Sequence, residues 1–141
     1  MLHGGGGRRA ARQGAARRGA ARQGCRGYVC GKDIDMTVNK LCGLLPLTAL
    51  NNEEDRDVTG VFCCDLLSVA MAKAPEGAAW VTVIGNANTI AVATLADVAC
   101  IILAEGYTFD EAAVSAAKGK IALFMSDKPA YETAVSIGEL L

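Results

Sequence analysis

From residue 36 onward the spacing of apolar positions changes several times, and each change marks an element. "TVNKLCGLL" (37–45) predicts a short helix, "LTAL" (47–50) a brief strand and "NNEEDRD" (51–57) a polar turn. "VTGVFCC" (58–64) is β-branched and apolar, hence a strand. In "DLLSVAMAKA" (65–74) Leu66, Leu67, Ala70, Met71 and Ala74 share one helical face, with Asp65 as N-cap. "PEG" turns the chain into the strand "AWVTVIG" (79–85). "NANTIAVATLAD" (86–97) has alanines that favour helix and Thr, Ile and Val that favour strand; we expect a helix capped by Asn88. "VACIIL" (98–103) reads as a strand buried on both sides. "TFDEAAVSAAKG" (108–119) predicts a helix with a Thr108/Glu111 capping box and Gly119 as its stop. "KIALFM" (120–125) is the next strand, and 126–141 closes with a helix carrying Pro129 in its first turn.

Strands that alternate with helices in this way imply a largely parallel sheet covered on both faces. The expected architecture is a three-layer α/β/α sandwich of about five strands.

Residues 4–27 do not fit that pattern. "GGGGRRAARQGAARRGAARQGCRG" contains no Val, Ile, Leu or aromatic residue, repeats "AARQG", and can bury no core face. We expect 1–35 to be a disordered extension, or an over-extended start of translation with Met36 opening the domain at 36–141. An RNA-binding arm is the competing reading of its arginines. Charge follows the same boundary. Residues 1–35 hold eight basic and two acidic residues, net +6, and 36–141 hold six basic and 13 acidic, net −7. An acidic domain repels nucleic acid.

Overall, 52% of residues are hydrophobic, enough for a packed core, and 5% are aromatic, so that core is Val, Ile, Leu and Ala. No secretory h-region opens the chain, and no apolar run reaches the ~18–20 residues of a membrane span. Six cysteines in such a chain fit a reducing cytoplasm, with Cys63 and Cys64 a buried pair of small apolar residues.

In a parallel sheet, ligands favour the carboxyl ends of strands. The loops expected there contain Asn86, Asn88 and Thr89, and Ser126 and Asp127, a polar rim suited to a small anion. The plain alternative for "GNANT" is a helix cap. No histidine lies beyond His3, and no G-x-x-x-x-G-K-[ST] occurs. A histidine-dependent triad in the domain and a P-loop are therefore excluded. We expect no catalytic residues, no metal site and no cofactor. Asp55, Asp57 and Asp65 read as a solvated turn and a cap rather than an acid–base site.

"DRDVTGVFCCDLLSVAM" resembles the signature of the DRTGG domain family through Asp55-Arg56, Thr59-Gly60 and Asp65. "GAAWVTVIGNANTIAVATLADVACIILAEG" and "KIALFMSDKPAYETA" continue the likeness in order, over about 36–141. Two residues separate Arg56 from Thr59, and Val61 stands where the second glycine belongs. The resemblance implies a fold like the N-terminal domain of HPr kinase/phosphorylase. It also implies a regulatory or architectural role, often at a dimer interface. Such modules accompany CBS domains in regulated pyrophosphatases and precede phosphotransacetylase domains. They also stand alone in anaerobic bacteria, some near iron-iron hydrogenase genes. The expected function is a non-catalytic, ligand-sensing module: a homodimer that binds a small anion such as a nucleotide, or docks to a metabolic enzyme. The alternative is a dimerising adaptor without ligand. An HPr serine kinase activity lacks the P-loop that would hold a triphosphate. Asp55, Arg56, Thr59, Gly60 and Asp65 are the motif or interface candidates, with Arg56 expected to pair with Asp55, Asp57 or a partner chain.

Overall fold

The strand–helix alternation closes into a mixed α/β unit over Met36–Leu141. The computed structural model describes residues 35–51 and 53–141; the Arg-rich extension, with Cys25 and Cys30, otherwise lies outside the described residues. In chain order the elements are α1 (Val38–Leu44), β1 (Thr48–Ala49), β2 (Gly60–Cys63), α2 (Leu67–Lys73), β3 (Ala78–Thr82), α3 (Ala87–Ala96), β4 (Cys100–Leu103), α4 (Glu111–Ala117), β5 (Ala122–Met125) and α5 (Ala130–Gly138). The sheet order is β1-β5-β4-β3-β2, parallel except for β1, which runs antiparallel to β5.

Each crossover from β2 to β5 moves one strand in the same direction. Crossovers of constant hand then place their helices on one face. Accordingly α2, α3 and α4 pack side by side. Beneath them runs a row fixed by the register, Phe62, Trp80, Ile101 and Leu123, which joins Ile90, Ala93 and Ala113 in the core. The opposite face carries Ala79, Val81, Cys100, Ile102, Ala122 and Phe124, all buried. There α5 packs against β2 and β3. A groove of about 300 Å³ lies between Val38 and Cys42 of α1 and Ala122 and Phe124 of β5.

Several helix starts differ from expectation, each for a local reason. The N-cap of α3 is Asn86, not Asn88: Asn86 has extended backbone, while Asn88 already lies in the first turn. The cap of α4 is Asp110, whose Oδ1 accepts from Ala113 N at 2.7 Å, so no Thr108/Glu111 box forms. Gly85 decides this. A Cβ there would stand 2.8 Å from Thr108 O and 3.0 Å from Phe109 Cα, and Asp110 N donates to Gly85 O at 2.9 Å. This contact holds 108–109 in the loop and turns Phe109 into the core. Pro129 precedes the first turn of α5 rather than lying in it. Gly119, at φ 72°, follows the end of α4 as expected. On α2 only the narrow Leu67–Ala70–Ala74 stripe faces the core; Leu66 and Met71 are exposed.

Gly85→Ala should destabilise the protein by about 1–3 kcal/mol, as overpacking against backbone does. Urea denaturation reads this as a lower midpoint at unchanged slope. A wild-type midpoint would show that 108–109 yields without cost.

Candidate functional site

The residues singled out from the sequence separate to opposite ends of the sheet. At the carboxyl ends of the parallel strands lie Asp65, Asn86, Asn88, Thr89, Ser126 and Asp127. Asp55, Arg56, Thr59 and Gly60 lie at the amino end of β2.

Most polar groups of the carboxyl rim hold one segment to another. Asp65 Oδ1 accepts from Thr82 Oγ1 at 2.7 Å and Val83 N at 3.0 Å, joining the end of β2 to that of β3. It is therefore not the cap of α2, whose N-cap is Leu66 without a side-chain bond. Asn86 Oδ1 accepts from Thr89 N at 3.1 Å, and Thr89 is buried. Ser126, also buried, shares a 3.1 Å hydrogen bond with Thr133 and accepts from Lys128 N at 3.1 Å. Asp127 is exposed, near the Gly106 turn.

Glu105 lies in the rim loop after β4 and is not among the site candidates read from the sequence. It adopts φ 62°, and its Oε2 accepts from Ala130 N at 2.8 Å, placing a carboxylate at the start of α5. The "EG" dipeptide after a buried strand is the signal for such a turn. Asn88 remains exposed, and the amides of Ala87 and Asn88 have no hydrogen-bond partner among the described residues. That is where the rim can donate to an incoming acceptor.

The segment around Asp55 and Arg56 at the other end is a joint. Val38 N donates to Arg56 O at 2.8 Å, Asn39 N to Asp55 Oδ1 at 2.9 Å and Lys40 N to Thr37 Oγ1 at 3.3 Å. These bonds satisfy the first amides of α1. Arg56 pairs with Asp97, not with Asp55 or Asp57, at 3.1 Å, and donates to Val98 O at 2.9 Å and Asp97 O at 3.4 Å. It thereby ties the entry of β2 to the entry of β4. Asp97 ends α3 in the left-handed region at φ 57°, which turns its carbonyl toward Arg56. Thr59 Oγ1 donates to Glu76 O at 2.9 Å and Thr59 N to Gly77 O at 2.8 Å, and Gly77, at φ 78°, leaves room for the Thr59 side chain. The residues enclose a polar cleft of about 430 Å³ lined by Asp55, Asp57 and Glu76 besides Arg56. Its carboxylates outnumber an arginine already paired, so it does not suit an anion.

Cys63 and Cys100 are not poised as nucleophiles. Cys63 is exposed, not half of a buried pair, because its neighbour Cys64 turns to the other face. Desolvation pushes its thiol pKa up, and the nearby Asp65 and Cys64 add to this. Complete burial pushes Cys100 up to about 12. Reactive thiols require the opposite shift.

No protein-family profile matches the chain, and no curated protein matches it.

Two outcomes test this account. Arg56→Ala leaves Val98 O without its donor, while Asp97 O keeps the Gly77 amide, and should cost about 1.5–3 kcal/mol, as loss of a bond to a charged group does. Asp97→Asn, which keeps the left-handed turn, should cost about 0–1 kcal/mol, as expected for an exposed ion pair. Equal midpoints in urea would refute the carbonyl role. Cys100 holds its proton more tightly folded than unfolded, so its contribution is complete below pH 9 and falls as pH rises toward 12. Wild-type stability should decline there by up to about 1.4 kcal/mol per pH unit more than that of Cys100→Ala; parallel curves would contradict the burial argument.

Proposed function

We propose that the chain is a non-catalytic regulatory module of the DRTGG type, a homodimer that senses a small anionic ligand or docks to a metabolic enzyme. One observation carries the reading: the signature residues Arg56 and Thr59 are committed to joints between segments, not to a reactive centre. The side chains of Asp55, Asp65, Thr89 and Ser126, candidates for acid–base or nucleophilic chemistry, are likewise engaged. An architectural signature with an accessible helix start nearby suits regulation better than turnover. The buried second face of the sheet, with α5 against β2 and β3, supports a three-layer sandwich and an HPr kinase N-domain-like fold. No helix among the described residues is long and apolar enough to cross a membrane. The free thiols at 42, 63, 64 and 100 support a cytoplasmic setting.

The ligand would bind where the open amides of α3 meet Asn88, within reach of an anion's oxygens. The outer edge of β2, which pairs with no strand among the described residues, favours the second reading, an adaptor that assembles without ligand.

Thermal melting of the full chain with adenine and guanine nucleotides and inorganic phosphate separates the two. Sensing predicts that at least one compound raises the midpoint, by the equivalent of about 2.7 kcal/mol at a hundredfold excess over Kd. Asn88→Ala should remove that rise without altering the unliganded midpoint. Asn86→Ala should lower the unliganded midpoint instead, through loss of about 1 kcal/mol of capping. A flat response across the panel would leave assembly as the function.

A further inference from the structure

β2 is an edge strand whose outer side meets no other strand among the described residues. Its ladder with β3 shows which groups face outward. Cys64 N donates to Val81 O, while Ala78 O and Thr82 O accept from Ala99 and Ala104 across β4. With the Gly60–Ala78 to Cys63–Val81 register, Gly60, Phe62 and Cys64 turn their backbone groups toward β3. The N–H and C=O groups of Val61 and Cys63 therefore point away from the sheet.

Exposed edges are normally blunted by Lys, Pro, a bulge or shortness. At the other edge β1 is two residues long. Residues 60–64 contain no charge and no proline. Val61 and Phe62 are half-buried, and Cys63 is exposed. A Cβ at Gly60 would meet nothing within 4 Å, so its open space serves no contact inside the chain.

We infer that this edge pairs with the same edge of a second copy, antiparallel about a twofold axis at Phe62, to give one sheet continuous through both chains. The inference deepens the homodimer reading and rests on it. Only this register pairs both outward residues, Val61 with Cys63 of the second copy and the reverse, each pair exchanging N–H···O=C bonds. Phe62 then faces its own counterpart as a close cross-strand aromatic pair, with the space at Gly60 diagonal to the incoming ring. Asp65 comes opposite Thr59 rather than another carboxylate. Strand pairing alone falls short of the ~1,200 Å² that a stable interface buries. The rest comes from α5, which lies against β2 and β3 and exposes Tyr131 and Val135.

Light scattering on the full chain tests this together with a cross-link. Wild type should have the mass of two chains. Cys63→Lys, at a position exposed in the single chain, should have the mass of one and keep its far-UV spectrum. Val61→Cys should form a covalent dimer under mild oxidation, through Cys63 of the second copy, and Val61→Cys combined with Cys63→Ser should lose it. A wild-type monomer overturns both this inference and the dimer reading. A dimer that survives Cys63→Lys, or a Val61→Cys protein that stays uncross-linked, overturns the edge and leaves a dimer built elsewhere.

Discussion

Four parallel strands laid down in chain order, with one hand of crossover, constrain everything else in this domain. The three connecting helices must share a face. The other face cannot be covered by crossovers and falls to segments from outside them, with α5 lying over β2 and β3 and α1 standing beside β5. Such segments need anchoring, since nothing in the strand-to-strand winding positions them. Much of the polar chemistry of the chain answers that need.

The two ends of the sheet meet it differently. At the amino end, one arginine satisfies the Val98 carbonyl and adds a second bond to that of Asp97, while its own backbone oxygen caps α1. A planar guanidinium with several fixed donors suits that task, whereas a lysine offers one point of charge. At the carboxyl end, carboxylates occupy places where a ligand anion would otherwise sit. Asp65 takes the Val83 amide and Glu105 takes the first amide of α5. The start of α3 escapes this pattern because Asn86 caps the later amides and leaves the first two. The asymmetry leaves that helix start as the open part of the rim and makes the segment around Arg56 a joint between elements.

Much of the layout was legible before folding. The apolar runs at 58–64, 98–103 and 120–125 each contain the observed strand, the run at 79–85 overlaps a strand that starts at Ala78 and ends at Thr82, and the Ala-rich 108–119 contains a helix with its glycine stop. The misplacements share a cause. Asp65, Thr108 and Asn88 were each given a capping role by local spacing. A distant partner reassigned the first two: Thr82 and Val83 for Asp65, and Gly85 for the loop around Thr108. Leu66 and Met71 share a helical period with the core but lie outside a seven-residue helix's narrow contact.

Periodicity, short-range capping and the hydrophobic content of each run act within a few residues. The sequence by itself therefore determined the order and kind of elements, the near-parallel sheet and the polarity of its rim. Which polar residue meets which depended on strand order and register, since the partners of Arg56, Asp65 and Glu105 lie 17 to 42 residues away along the chain. Only the tertiary structure could decide that Arg56 reaches Asp97, that Glu105 starts α5, and that β2 is the last strand of the sheet among the described residues. Those outcomes follow from how the sheet is wound, and no local pattern encodes a winding.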